Sequence, residues 1–189
     1  MTKVFVGGSR KVSRLSADVR RRIDRIIEKR MSTLVGDANG ADKAVQAYLQ
    51  SKAYPSVEVF CSGDECRNNL GRWPERHVSV PAARKSKDRS FYTVKDRAMS
   101  EAAGFGLMIW DGESVGTLLN VLRLLRQEKK VVVYLGREKR FAELRDTNDW
   151  NAFAESCPLD LRARVEDEAT LELAAAGASA PFSRQGTMF

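Results

Sequence analysis

Short apolar runs alternate with segments of helical period, and that alternation constrains the fold of this chain more than any other feature. The runs are Lys3 to Val6 (KVFV), Thr33 to Val35, Val57 to Cys61, Phe105 to Trp110 (FGLMIW) and Lys130 to Leu135 (KVVVYL). Val57 to Cys61 alternates and is β-branched; KVVVYL is continuous, as in strands covered on both faces. Between the runs, Leu15, Val19, Ile23, Ile26, Ile27 and Met31 recur at helical spacing behind Ser16, a candidate N-cap, and Asp18. Ala41, Ala44, Val45 and Tyr48 share a second helical face, and Phe91, Val94, Ala98, Met99 and Ala102 a third. Leu118, Leu119, Val121, Leu122, Leu124 and Leu125 make a fourth helix that is apolar over a wide arc. Strand–helix alternation of this kind predicts βαβ units: an α/β protein with a mainly parallel sheet of about five strands and helices on both faces.

The alternation occupies residues 1–136, which we expect to form one domain. It breaks from Ser62 to about Ser90, where Gly, Asn, Pro and basic residues surround Trp73 and His77. Residues 63–90 are therefore expected to be a loop insertion, either a lid over a site or a connection with no role. Residues 137–189 are expected to be a helical extension, with one short helix around Trp150, Phe153 and Ala154 and another over Glu166 to Ala176, followed by a mobile tail from Gly177. No internal repeat is present.

No apolar run approaches the roughly 20 residues of a membrane span, and no signal-peptide core follows Met1. The three cysteines, Cys61, Cys66 and Cys157, are odd in number and show no metal-like spacing, which suggests a reducing cytoplasm. Cys61 ends a strand and is expected to be buried rather than reactive. His77 is the only histidine, which argues against a His-based metal site or a Ser-His-Asp triad; no metal is expected. The formal charge of +7 gathers in Arg10 to Arg30, with Arg20, Arg21 and Arg22 adjacent, and in Arg67 to Arg97. A basic face attracts nucleic acid, an acidic partner or phosphorylated small molecules, or it is a solvated helix face.

Three Gly-containing loops follow strands: Gly7-Gly8-Ser9-Arg10, Gly36-Asp37-Ala38-Asn39-Gly40-Ala41-Asp42 and Asp111-Gly112-Glu113-Ser114-Val115-Gly116-Thr117. In a parallel sheet all three fall on its carboxyl edge, where such folds bind ligands. The third joins a strand to a helix, so its amides sit at the positive end of a helix dipole, a seat for phosphate. Gly112 and Gly116 permit close approach of the backbone to a ligand, and Ser114 and Thr117 either cap the helix or contact phosphate oxygen. Arg10 either pairs with phosphate or is a surface arginine. Asp37 and Asp42 either cap a helix or accept ribose hydroxyls. Asp111 and Glu113 are turn acids or neighbours of a divalent ion.

These loops, in this order and joined by Asp96-Arg97-Ala98-Met99, resemble the SLOG superfamily in its YspA/YpsA-related branch, over roughly Lys3 to Leu135. The resemblance implies a Rossmann-like three-layer sandwich that binds or senses a nucleotide or a nucleotide derivative. It implies ligand contacts from Gly7, Gly8, Ser9, Arg10, Gly36, Asp37, Gly40, Ala41, Asp42, Arg97, Asp111, Gly112, Ser114, Gly116 and Thr117. It implies no certain cofactor beyond that nucleotide. The oligomeric state is open, and apolar helices beside a sheet edge make a homo-oligomer one expectation. The related phosphoribohydrolases cleave the N-glycosidic bond of nucleoside monophosphates with a glutamate three residues after the threonine of their phosphate loop. That place is Asn120 here, and an amide does not shuttle protons as a carboxylate does. A hydrolase would have to use Asp37, Asp42 or Asp96 instead. Hydrolysis is thus the first alternative, and nucleic-acid binding through the basic face the second.

Overall fold

Residues 1–80 and 89–178 are described by the computed structural model. The strands are β1 (Lys3–Gly8), β2 (Ser32–Gly36), β3 (Val57–Ser62), β4 (Glu75–Val78), β5 (Phe105–Trp110), β6 (Val131–Leu135) and β7 (Arg140–Leu144). The helices are α1 (Ala17–Glu28), α2 (Ala41–Ser51), α3 (Arg89–Ala102), α4 (Val115–Leu125), α5 (Thr147–Glu155) and α6 (Leu159–Ala178). One sheet of seven strands runs β4-β3-β2-β1-β5-β6-β7, parallel throughout except for β7 against β6. The chain winds outward from β1 to β4, then restarts on the other side of β1 with β5. The switch point is therefore the seam between β1 and β5, the place where an open sheet of this kind leaves a crevice.

Alternate strand residues enter opposite cores. Val4 and Val6 join Val19, Ile23 and Ile26 of α1 and Val45 and Leu49 of α2 on one face. Phe5, Leu34, Phe60 and Met108 meet Met99 of α3 and Leu118, Leu119 and Leu122 of α4 on the other. The helices on both faces make the expected three layers.

Seven strands form where about five are expected. The two additions are the sheet's edges. Glu75-Arg76-His77-Val78 lies within the expected loop, and Arg140 to Leu144 within the expected helical extension. Polar edge strands lack the apolar signature because solvent covers them. Residues 81–88 of the expected insertion lie outside the described residues, as do residues 179–189 of the expected tail, whose first two residues, Gly177 and Ala178, end α6 instead. The last helix begins at Leu159 rather than near Glu166, and Leu161, Val165 and Ala169 bury one stripe of it in the same core as α4. Among the described residues, no helix is long and apolar enough to cross a membrane.

Cys61 is buried, as expected of a strand end, but it is bonded to Cys66 in a disulfide, with Cα atoms 5.1 Å apart. The linear spacing also concealed a side-chain cluster: Cys66, Glu75 and His77 present potential ligand atoms all within 4.8 Å of one another.

Candidate functional site

The first and third Gly loops meet at the β1–β5 seam. A Cβ on Gly8 would run into the carbonyl oxygen of Ile109, so glycine lets the two strand ends close up. Ser9 N–H then donates to that same Ile109 carbonyl at 2.9 Å. The Ser9 side chain is buried and accepts from Asp111 N–H at 3.1 Å. Thr117 Oγ1 donates to Ser114 Oγ at 3.0 Å, so in the 3.1 Å bond between Ser9 Oγ and Thr117 Oγ1 the donor is Ser9. Ser114 Oγ also accepts from Thr117 N–H at 3.4 Å. Two accepted bonds leave the Ser114 proton available to a ligand. Ser9 and Thr117 are thus the frame of the turn, and Ser114 is its outward donor.

The turn is partly capped from within. Asp111 Oδ1 accepts from the amides of Glu113 and Ser114 at 3.0 and 2.9 Å. Burial alone would raise the Asp111 carboxyl; these amides outweigh it and hold the group below the usual carboxylate range. Among the described residues, the amides of the α4 N-terminus left without a partner are those of Val115 and Gly116, in the first helical turn where donors are unpaired by construction.

The second loop is bolted to the first. Gly40 adopts φ +85°, and a Cβ there would strike the Arg10 backbone. Ala41 N–H donates to Ser9 O at 3.1 Å. Below this junction lies a buried ionic cluster. Lys95 of α3 places Nζ 2.8 Å from Asp96, 3.6 Å from Asp42 and 3.9 Å from Asp37. Arg67 grips Asp37 from above with its backbone N–H and Nε, each at 3.0 Å, and with Nη2 at 2.6 Å. A Cβ on Gly36 would collide with Asp42 and Lys95, so that glycine makes room for the cluster. Burial would raise the Asp37 carboxyl, but the Arg67 hydrogen bonds and the Lys95 charge outweigh it and hold the group low. Asp42 has no such bidentate partner; burial pushes it up to about 6 against the pull of Lys95.

Together these elements enclose a cleft of about 530 Å³, the size of a small-molecule site. Gly7, Gly8, Arg10, Asp42, Asp111, Ser114, Gly116 and Thr117 line it, as the shared place of their loops on the sheet edge predicts, and Asp96 of α3 lines it with them. Ser9, Gly36, Asp37, Gly40 and Ala41 do not line it, but Ser9 and Asp37 hydrogen-bond residues that do, Asp111 and Arg67. Two of the expected residues face elsewhere. Arg97 turns to α6 and lies 3.6 Å from Glu172, because it sits two positions from Lys95 on the helix and so on another side. Gly112, at φ +90°, packs against Arg137. Trp73 and Trp110 belong to the cores; Trp73 Nε1 donates to Tyr54 O at 2.9 Å, and Trp110 Nε1 to Ser114 O at 3.2 Å.

Lys95, Arg67, Tyr92 and Arg164 also line the cleft, and none was singled out from the sequence. Lys95 carried a signal: it stands four residues from both Phe91 and Met99, in the register of the apolar stripe. The Arg67 guanidinium lies 4.0 Å from the Tyr92 ring centre and that of Arg10 5.5 Å, both within cation–π range. Lys11 pairs with Glu113 at 2.7 Å. Among the described residues, Arg10 and Arg164 have no ion-pair partner. The α1 arginines stand outside the cleft; Arg21 pairs with Asp18 and Arg22 with Glu143. Asn120 lines the cleft and accepts from Arg123.

No protein-family model matches this chain, and no curated protein matches it. Among solved structures, it is similar to DNA processing protein A from Helicobacter pylori, the subject of a study of that protein's single-stranded DNA binding mode. The TM-score is 0.55 at 11% sequence identity, over 89% of this chain and 80% of that one. At that identity the likeness is one of fold: the Rossmann-like α/β architecture with its open, mainly parallel sheet.

Proposed function

We propose that this protein binds a phosphate-bearing nucleotide unit in the cleft at the β1–β5 seam. The observation that carries the reading is the convergence on one cavity of two arginines without ion-pair partners among the described residues, Arg10 and Arg164, and the amides of Val115 and Gly116, likewise without partners there, with the outward Ser114 hydroxyl. Such a set suits a phosphate: amides and hydroxyl donate to its oxygens at the helix N-terminus, and guanidinium groups neutralise its charge. Tyr92 gives the cavity an aromatic wall for a base. This reading agrees with the resemblance of the Gly loops to the SLOG superfamily.

Single-stranded nucleic acid is the better supported source of that unit. The fold neighbour is described as binding single-stranded DNA, and this chain carries a surplus of +7. A free nucleotide is the second reading, supported by the enclosed size of the cleft. N-glycosidic cleavage has no support from the site: Asp42 and Asp96 lie against Lys95, Asp111 accepts backbone amides, and Glu113 pairs with Lys11.

Fluorescence anisotropy with a labelled oligothymidylate, repeated across salt concentrations and with mononucleotides as competitors, tests the proposal. Replacing Arg10 and Arg164 by Ala is expected to weaken binding and to lower the salt slope by about 1.4, at roughly 0.7 for each phosphate contact in a single strand. Binding of mononucleotides without the oligomer would favour the free nucleotide. Oligomer binding untouched by those two changes, but abolished by reversing Arg20, Arg21 and Arg22, would move the interface to α1 and overturn the proposal.

A further inference from the structure

We propose that Cys66, Glu75 and His77 form a divalent-metal site of zinc type that exists only while the Cys61–Cys66 disulfide is reduced. The site lies at the β3–β4 edge, away from the cleft, and does not depend on the nucleotide reading.

Glu75 and His77 are two residues apart on β4, so both side chains leave the same face of the sheet. That face is shared with Cys61, the parallel neighbour of His77 on β3, and Cys66 is held there by its bond to Cys61. The potential ligand atoms of Cys66, Glu75 and His77 lie within 4.8 Å of one another. A tetrahedral zinc with bonds of about 2.0–2.3 Å needs ligand atoms about 3.3–3.8 Å apart, so a small closure completes the site. A thiolate, an imidazole and a carboxylate are the donor types that zinc takes, and three protein ligands leave one position to water.

The supporting groups are already in place. His77 Nδ1 lies 2.9 Å from the carbonyl oxygen of Gly63, which accepts its proton. Nε2 lies 3.1 Å from Glu75 Oε2, and a metal ion bound between them takes the place of any proton they share. The other Glu75 oxygen, Oε1, accepts from Asn69 Nδ2 at 2.9 Å. Backbone and amide partners of this kind orient imidazole and carboxylate ligands around a metal. The side chains of His77 and Glu75 are 40% and 36% exposed, so an ion reaches them from solvent.

Only the disulfide withholds the third ligand. Cys61 is fully buried and Cys66 half-buried, so the thiolate of a dithiol reductant attacks Cys66 Sγ. The S–S bond breaks, Cys61 leaves as a thiolate and takes up a proton, and a mixed disulfide forms on Cys66. The second thiol of the reductant attacks its own sulfur in that bond, closes the oxidised reductant and releases Cys66. Two electrons and two protons pass in total from the dithiol to the protein. Cys66 then gives its proton to water as the metal binds. The residue after Cys66 is Arg67, which holds Asp37 at the rim of the cleft, although none of the three ligands lines it.

The test is cobalt uptake by the full chain, reduced with dithiothreitol and freed of it under argon, with the thiols counted beforehand. The reduced protein is expected to take up one equivalent of Co²⁺, with a thiolate-to-cobalt charge-transfer band that Zn²⁺ displaces. The band should be missing from the oxidised protein and from Cys66→Ser, and weakened in His77→Gln and Glu75→Gln. Cys61→Ser frees Cys66 permanently and is expected to bind Co²⁺ without reductant. A folded Cys61→Ser protein, checked by circular dichroism, that takes up no Co²⁺ overturns the proposal. So does a band that survives Cys66→Ser.

Discussion

Replacing Lys95 by Met is expected to destabilise the protein by an amount that grows with pH. Met keeps most of the side chain's length and removes only its charge, so the packing cost is small. Lys95 Nζ lies 3.6 Å from Asp42, and at an effective dielectric of about 20 that attraction is about 4–5 kcal/mol. Without that attraction, burial carries Asp42 further above its value of about 6. A carboxyl whose folded-state pKa is raised keeps a proton that the unfolded chain has lost, so it lowers stability as pH rises until the folded pKa is reached. In the wild type that loss ends near pH 6; in the variant it continues to higher pH. Between pH 6 and pH 8 the difference in stability therefore grows by about 1.4 kcal/mol per pH unit, reaching about 3 kcal/mol, while at pH 5 the Asp42 contribution is absent. Asp37 adds little to this slope because Arg67 still holds it. Urea unfolding followed by the fluorescence of the buried Trp73, Trp110 and Trp150 at pH 5, 6, 7 and 8 measures it. Adding Asp42→Asn should flatten the profile. A destabilisation equal at pH 5 and pH 8, or a slope that survives Asp42→Asn, refutes the account of the cluster.

Ser114→Ala removes the cap on Thr117 N–H and the acceptor for the Thr117 hydroxyl, and should cost about 1–2 kcal/mol in urea unfolding. Gly8→Ala forces a Cβ into the Ile109 carbonyl, where only backbone can yield; a loss of about 2 kcal/mol or more is expected, read as a lower melting temperature. Burial would raise the Glu172 carboxyl, but Arg123 outweighs it and holds the group low. Its stabilisation is therefore present above the unfolded pKa and lost as pH falls through the folded one. Glu172→Gln should lower stability at pH 7 and flatten acid unfolding.

The parts of the fold that were legible in the sequence are those whose side chains meet other protein on both sides. KVFV, FGLMIW and KVVVYL advertise central strands because no solvent interrupts them. Glu75 to Val78 and Arg140 to Leu144 have a bare edge, so their composition reads as loop or helix. At the site, the Gly loops were legible because close neighbours leave no room for a side chain at Gly8, Gly36 and Gly40. What each glycine accommodates was not legible: a facing carbonyl, an ionic cluster and a neighbouring loop rather than a ligand. Arg97 enters the expected site only through the family resemblance of the helical motif Asp96-Arg97-Ala98-Met99, whereas Lys95, two positions earlier on the helix, occupies the face that looks inward. The disulfide and the Cys66–Glu75–His77 cluster arise from strand register, which spacing along the chain does not encode.

The charge of the cleft follows from pairing rather than from composition. Of its cations, Lys11 is matched by Glu113, Arg67 by Asp37, and Lys95 by three carboxylates. What remains for an anion is Arg10, from the first loop, and Arg164, from the last helix. They converge because α6 is anchored twice: Leu161, Val165 and Ala169 bury it against α4, and Glu172 ties it to Arg123 and Arg97. Arg97 therefore helps to hold the helix that brings Arg164 to the cleft. The cleft is complete only when the C-terminal helix is docked, so the segment that looked like an appendage in the sequence is a wall of the site.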